Sequence, residues 1–137
     1  MIVPPFKVSS STSIIPRNTS AAVAVTLGNT SSTANQTILG GLIVTTRTIT
    51  TNLTIDTTTN DHIIFCNHSG AITITLPAPT NGRVIVIKDI SGAANTNNIT
   101  LARNASEKIE GTAASKLLQT NWGAWTITSD GTDWFMV

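Results

Sequence analysis

Residues 63–89 read IIFCNHSGAITITLPAPTNGRVIVIKD, two apolar runs on either side of an alternating one. In the middle run Ile72, Ile74 and Leu76 interleave with Thr73 and Thr75. A period of two places the aliphatic side chains on one face of a strand and the threonines on the other. The flanking runs, 63–66 and 84–87, are apolar at every position, as in strands covered on both faces. Between the runs lie Ser69-Gly70 on one side and Pro77, Pro79 and Asn81-Gly82 on the other. Proline cannot donate to a ladder and Asn-Gly accepts a positive φ, so each connector ends a strand. The pattern predicts a core of three antiparallel strands.

Upstream, residues 42–56 keep Ile43, Thr45, Arg47, Ile49, Thr51, Leu53 and Ile55 on one parity, which predicts a strand or a strand pair bent near Asn52. Residues 21–27 (AAVAVTL) form a short apolar run and a candidate first strand. Downstream, residues 91–98 are a polar loop, Ile99-Thr100-Leu101 a short strand, and Ile109 the start of another. Residues 113–118 have helical character but are too short for a helix that stands alone. At the end, Trp125 and Ile127 alternate, Asp130-Gly131 turns, and residues 134–137 return, a strong hairpin signal. No fixed repeat of solenoid length is visible. The expected architecture is all-β, about eight to ten short strands in an antiparallel sandwich or barrel-like head. Residues 1–40 are expected to be an extended segment ahead of a head at 41–137.

Composition sharpens this picture. Only 11% of the 137 residues are charged, 40% are hydrophobic, Thr is the commonest type and Tyr is absent. Disorder needs low hydrophobicity with high net charge, and neither holds. The net charge of +1 comes from scattered single bases, so nucleic-acid binding has no electrostatic footprint. No stretch approaches the roughly 18 apolar residues of a membrane helix, which argues against membrane insertion. The first residues lack a basic region followed by an apolar block, so synthesis inside a cell without export is expected. The lone Cys66 excludes an internal disulfide and reads as a small buried hydrophobe.

Candidate chemistry is sparse. Cys66 and His68 would lie about 7 Å apart along a strand, near enough to share a metal, whereas His62 would be about 20 Å from His68. A threefold assembly could gather three copies of His68 on its axis. The simpler reading is that both histidines cap a buried strand, with no metal and no cofactor. Asp130/Asp133 and Glu107/Glu110 are carboxylate pairs, but they fall in predicted turns, where acids solvate loops. Asp89 with Asn95 and Asn97 lacks the charge and spacing of a calcium loop. There is no nucleophile elbow and no phosphate cradle, so the chain reads as non-enzymatic. Trp122, Trp125 and Trp134 fall within thirteen residues. Packing is the expectation for Trp125 and Trp134, while Trp122 is open between core and sugar platform.

The residues GAITITLPAPTNGRVIVIKDISGAANTNNITL, then IEG, then LQTNWGAWTITSDGTDWFMV resemble a β-rich module of bacteriophage and large-virus fibre and receptor-binding proteins. There a strand ending in Leu-Pro is followed by Gly-Arg, a strand closing in Lys-Asp, the loop S-G-x-A-x-T-N-N-I-T and a terminal S-D-G-T-x-W hairpin. Here these are Leu76-Pro77, Gly82-Arg83, Lys88-Asp89, residues 91–100 and residues 129–134. The resemblance covers about residues 50–137. It implies a homotrimeric virion surface protein joined through its N-terminal part to another virion protein such as a capsid or vertex protein. Host contact would be with a surface glycan or protein. The chain has no long shaft repeats, which implies a short spike or a capsid decoration. Under this reading Pro4, Pro5, Phe6, Ile14 and Ile15 are the candidate particle anchor, and Trp122, Asn95, Asn97 and Asn121 the candidate binding residues. The alternative is a stand-alone carbohydrate-binding β module, and a third reading, a small glycan-degrading enzyme, has less support.

Overall fold

The apolar runs do become strands, because each carries β-branched residues at the spacing a pleated surface packs best. The computed structural model describes residues 42–137. The expected anchor residues Pro4, Pro5, Phe6, Ile14 and Ile15, and the expected strand at 21–27, lie outside the described residues. Nine strands follow in order: β1 Thr46–Ile49, β2 Leu53–Thr54, β3 Ile63–Cys66, β4 Ile72–Thr75, β5 Val84–Asp89, β6 Ile99–Ala102, β7 Lys116–Leu118, β8 Ala124–Ser129 and β9 Trp134–Met136. There is no helix among the described residues. The segment with helical character supplies β7, which pairs antiparallel with β6 from Ile99↔Leu118 to Leu101↔Lys116. A ladder partner outweighs a weak local preference.

The strands form two mixed sheets, not a closed barrel. One has five strands in the order β1-β3-β5-β8-β9 and the other four in the order β2-β4-β6-β7. The antiparallel expectation fails for the first six strands: β1, β3 and β5 are parallel neighbours, as are β2, β4 and β6. Antiparallel pairing is confined to β5–β8, β8–β9 and β6–β7. The expected three-strand core is therefore split, since β3 and β5 lie side by side while β4 belongs to the other sheet. The chain passes from the five-stranded sheet to the four-stranded one three times, at β1–β2, β3–β4 and β5–β6, a winding of three coils. Thr46 stands beside Ile63 and Ile63 beside Val86, steps of 17 and 23 residues. In the other sheet Leu53 stands beside Ile74 and Ile72 beside Ile99, steps of 21 and 27. Coils of unequal length leave no fixed period in the sequence.

Alternation along each strand sends one parity inward. Ile64, Cys66, Ile85, Ile87 and Ile127 from the five-stranded sheet join Ile72, Ile74, Leu76, Ile99, Leu101 and Leu118 in a single core cluster. Trp134 closes it, with no exposed surface, and the half-buried Trp125 packs against it. The outward parities differ between the sheets. On the four-stranded sheet they are Thr54, Thr75 and Ala102 in one row and Thr73 and Thr100 in the next. On the five-stranded sheet they include Ile63, Phe65, Val84 and Val86, all half-buried.

Candidate functional site

β5 alternates Ile85 and Ile87 inward, and the same parity carries the carboxylate of Asp89 into the interior with no exposed surface. A buried charge is tolerable only when its oxygens are filled. Oδ1 accepts from the Ser91 N–H at 2.9 Å, the Ser91 hydroxyl at 2.7 Å and the Gly92 N–H at 3.1 Å. Oδ2 accepts from the N–H groups of Ala94 at 3.2 Å and Trp122 at 3.0 Å. Burial works to raise the acid's pKa, but the hydrogen bonds from Ser91, Trp122 and Ala94 outweigh it and hold the group at about 2. One anion thus ties the 91–94 loop to the turn before β8.

Two further reactive side chains lie within reach of this anion. Cys66 stands opposite Asp89 in the β3–β5 register and is fully buried. Burial first, and the negative Asp89 second, push its thiol up to about 12, so it stays protonated and inert as a nucleophile. His68 is buried too, with Nδ1 2.9 Å from the Gly70 carbonyl and Nε2 3.6 Å from Asp89 Oδ1. A carbonyl only accepts, so Nδ1 carries the hydrogen. The His68 side chain has no exposed surface in the single chain. Among the described residues no group of three His, Cys, Asp or Glu side chains is placed to hold a metal ion. In the oxygen-rich loop Asp89 spends its lone pairs on N–H and O–H donors.

Above the anion sits Trp122. Its side chain is exposed, at 62%, and its backbone has φ 60, the left-handed region that bulky residues avoid. The N–H to Asp89 fixes one side of its backbone, and its carbonyl accepts from Lys88 Nζ on the other. The indole lies against Gly92, where an added Cβ would be 2.5 Å from Cε2 and 2.6 Å from Cζ2. Gly92 has φ +68, so glycine answers both the turn and the ring. Beside the ring, Asn121 Oδ1 accepts from the Asn95 N–H at 2.8 Å, and the Thr96 hydroxyl donates to Asn95 Oδ1 at 2.9 Å. The structure therefore brings Trp122, Asn95 and Asn121 together. Asn97 belongs to the same loop but turns to Ser69, donating Nδ2 to its carbonyl at 3.0 Å. Sequence reasoning missed Gly92, Lys88 and the caging role of Asp89; the signal available was an acid on the inward parity of an apolar strand.

The carboxylate pairs serve loops, as their turn positions suggested. Asp130 Oδ1 accepts from the N–H groups of Thr132 and Asp133, and Asp133 from that of Lys108. Glu107 accepts from Asn104 and Ala105. Elsewhere a shallow groove of about 420 Å³ is lined by Asp61, His62, Asn81 and Arg83. There Asp61 pairs with Arg47 at 3.2 Å, and Arg83 Nη2 donates to the Thr59 carbonyl at 2.9 Å. Neither a family model nor a curated protein sequence matches the chain.

Proposed function

We propose that the chain is a virion structural protein, the β head of a short trimeric fibre or spike or of a capsid decoration, contacting the host surface. The observation that carries this reading is the outward face of the five-stranded sheet. Ile63 and Val86 stand side by side there, flanked by Phe65 and Val84, while the outward rows of the four-stranded sheet are mostly threonine, with Ala102 and the exposed Leu117 among them. One sheet face suits water and the other suits a covering layer. The one charge among these outward positions of β3 and β5, Lys88, has its amine committed to the Trp122 carbonyl. A largely apolar face meets a copy of itself with little repulsion, as symmetric assemblies require. The resemblance to fibre heads supplies the virion setting.

Those shared residues are largely the ones that hold the loops. Asp89 and Ser91 build the cage, Asp130 and Gly131 the last turn, and Trp134 the core. A module recognised by such residues constrains the scaffold and leaves the ligand free to vary. Light scattering on the purified chain, with immunolabelling of intact particles, tests the proposal. A trimer found on the particle surface is the expected result, and a monomer at micromolar concentration overturns it. The second reading, a carbohydrate-binding module acting alone, is favoured by one observation, the exposed Trp122.

A further inference from the structure

Trp122 combines three features that packing does not explain. Its ring is largely exposed, its backbone occupies a region that strains a bulky residue, and its seat is built to hold it there. A glycine at 122 would adopt the same backbone without strain. The arrangement spends stability to present an indole at a fixed angle.

The surroundings define what the indole can meet. Of the two charged groups that touch the Trp122 backbone, Asp89 is buried under five donors and closed to a ligand, while Lys88 donates to the Trp122 carbonyl. The exposed polar groups are amides. Asn121 and Asn95 each use Oδ1 within the loop pair, and their Nδ2 groups have no protein partner among the described residues. An aromatic plane beside amide donors that have no partner among the described residues, with the one neighbouring carboxylate closed by donors, matches the chemistry of a neutral sugar. The C–H face of a pyranose stacks on the ring and its hydroxyl oxygens accept from the amides.

We propose that Trp122, Asn95 and Asn121 form a shallow binding site for a neutral hexopyranose unit of a surface glycan. This inference rests on the host-contact reading and names its ligand class. A single open platform binds weakly, and several copies on one head raise avidity by about 10²–10⁴ without new contacts.

The test titrates the purified full chain with neutral gluco-, galacto- and manno-oligosaccharides, and with a sialylated and a sulfated oligosaccharide as charged controls. Binding is read by nuclear magnetic resonance shifts of the backbone N–H signals of residues 91–97 and 120–123, which every variant retains. Three variants accompany it: Trp122→Gly, Trp122→Phe and Asn95→Ala. The expected result is binding to at least one neutral oligosaccharide, weakened about tenfold or more in Trp122→Gly, as loss of one stacked ring implies. Trp122→Phe retains part of it, and Trp122→Gly melts at or above the parent temperature because strain is relieved. Unchanged sugar binding in a folded Trp122→Gly variant overturns the site, and binding of only the charged sugars overturns the ligand class. Absence of any sugar binding, while particles carrying Trp122→Gly lose host adhesion, overturns the glycan and leaves host contact through a protein. Sugar binding by a chain that proves monomeric and absent from particles sustains the site and removes the virion reading instead.

Discussion

Asp89 carries more of the loop geometry than any apolar side chain around it. Five donors converge on its two oxygens, and removing the acceptor strands buried N–H groups of Ser91, Gly92, Ala94 and Trp122. Each unsatisfied buried donor costs about 1–3 kcal/mol. Asp89→Asn keeps the shape but turns one acceptor into a donor facing donors, so a loss of about 3 kcal/mol is expected in urea denaturation. Acid acts on the same group. Its pKa falls from 3.8 to about 2 on folding, so it stabilises the fold above the unfolded value, and that contribution disappears as pH drops through the folded one. The share is worth about 2 kcal/mol. Urea midpoints measured from pH 5 down to pH 2 should fall more steeply for the parent than for Asp89→Asn; parallel slopes would contradict the cage. At Gly92 a methyl group meets both a positive φ and the indole, so Gly92→Ala should lower the melting temperature and shift the Trp122 indole signal.

At the scale of elements, packing separates the tryptophans. Trp134 opens β9 with its ring in the core and its backbone N–H donating to the Lys108 carbonyl at 2.9 Å. Trp134→Ala should cost about 3–5 kcal/mol through lost transfer energy and a residual cavity. Trp122→Ala should stay within about 0.5 kcal/mol, the ordinary surface effect. Thermal melts at matched concentration compare them, and a parent-like melt for Trp134→Ala would remove that ring from the core. Which residues face inward was legible in the sequence, because parity is local: Ile72, Ile74 and Leu76 are buried as their alternation requires. Which strand neighbours which was not. Nothing in residues 63–89 distinguishes a hairpin from a crossover to the opposite sheet, and uneven steps of 17 and 23 residues erase the repeat that would betray a winding chain. Residues 116–118 became a strand only because β6 offers them a ladder. The site was legible in the same measure. Its Trp and Asn residues stood out by type, whereas Gly92 and the buried acid acquire meaning only once two distant loops meet.

For the whole molecule the deciding quantity is what covers the five-stranded sheet. β3 and β5 read as strands buried on both faces, and within residues 42–137 the core takes only one of them. Val86 is the natural probe, because it stands at the centre of the sheet between Ile63 and Thr126, pointing away from the core. Val86→Lys leaves the interior untouched and keeps its ammonium in water when the chain is alone, so the monomer should remain folded. In an assembly that buries this face, each copy would bring an unpaired charge into an apolar interface, a penalty of several kcal/mol per subunit. The expected outcome is a parent that scatters light as a trimer and a Val86→Lys variant that scatters as a monomer with the same circular dichroism. Thr100→Lys, on the outward face of the four-stranded sheet beside Thr73, serves as the matched control and should leave the trimer intact. Both substitutions place a lysine on an outward face, each on a different sheet. Dissociation by Thr100→Lys and not by Val86→Lys would move the interface to the threonine face, and a trimer indifferent to both would show that neither sheet face is where copies meet.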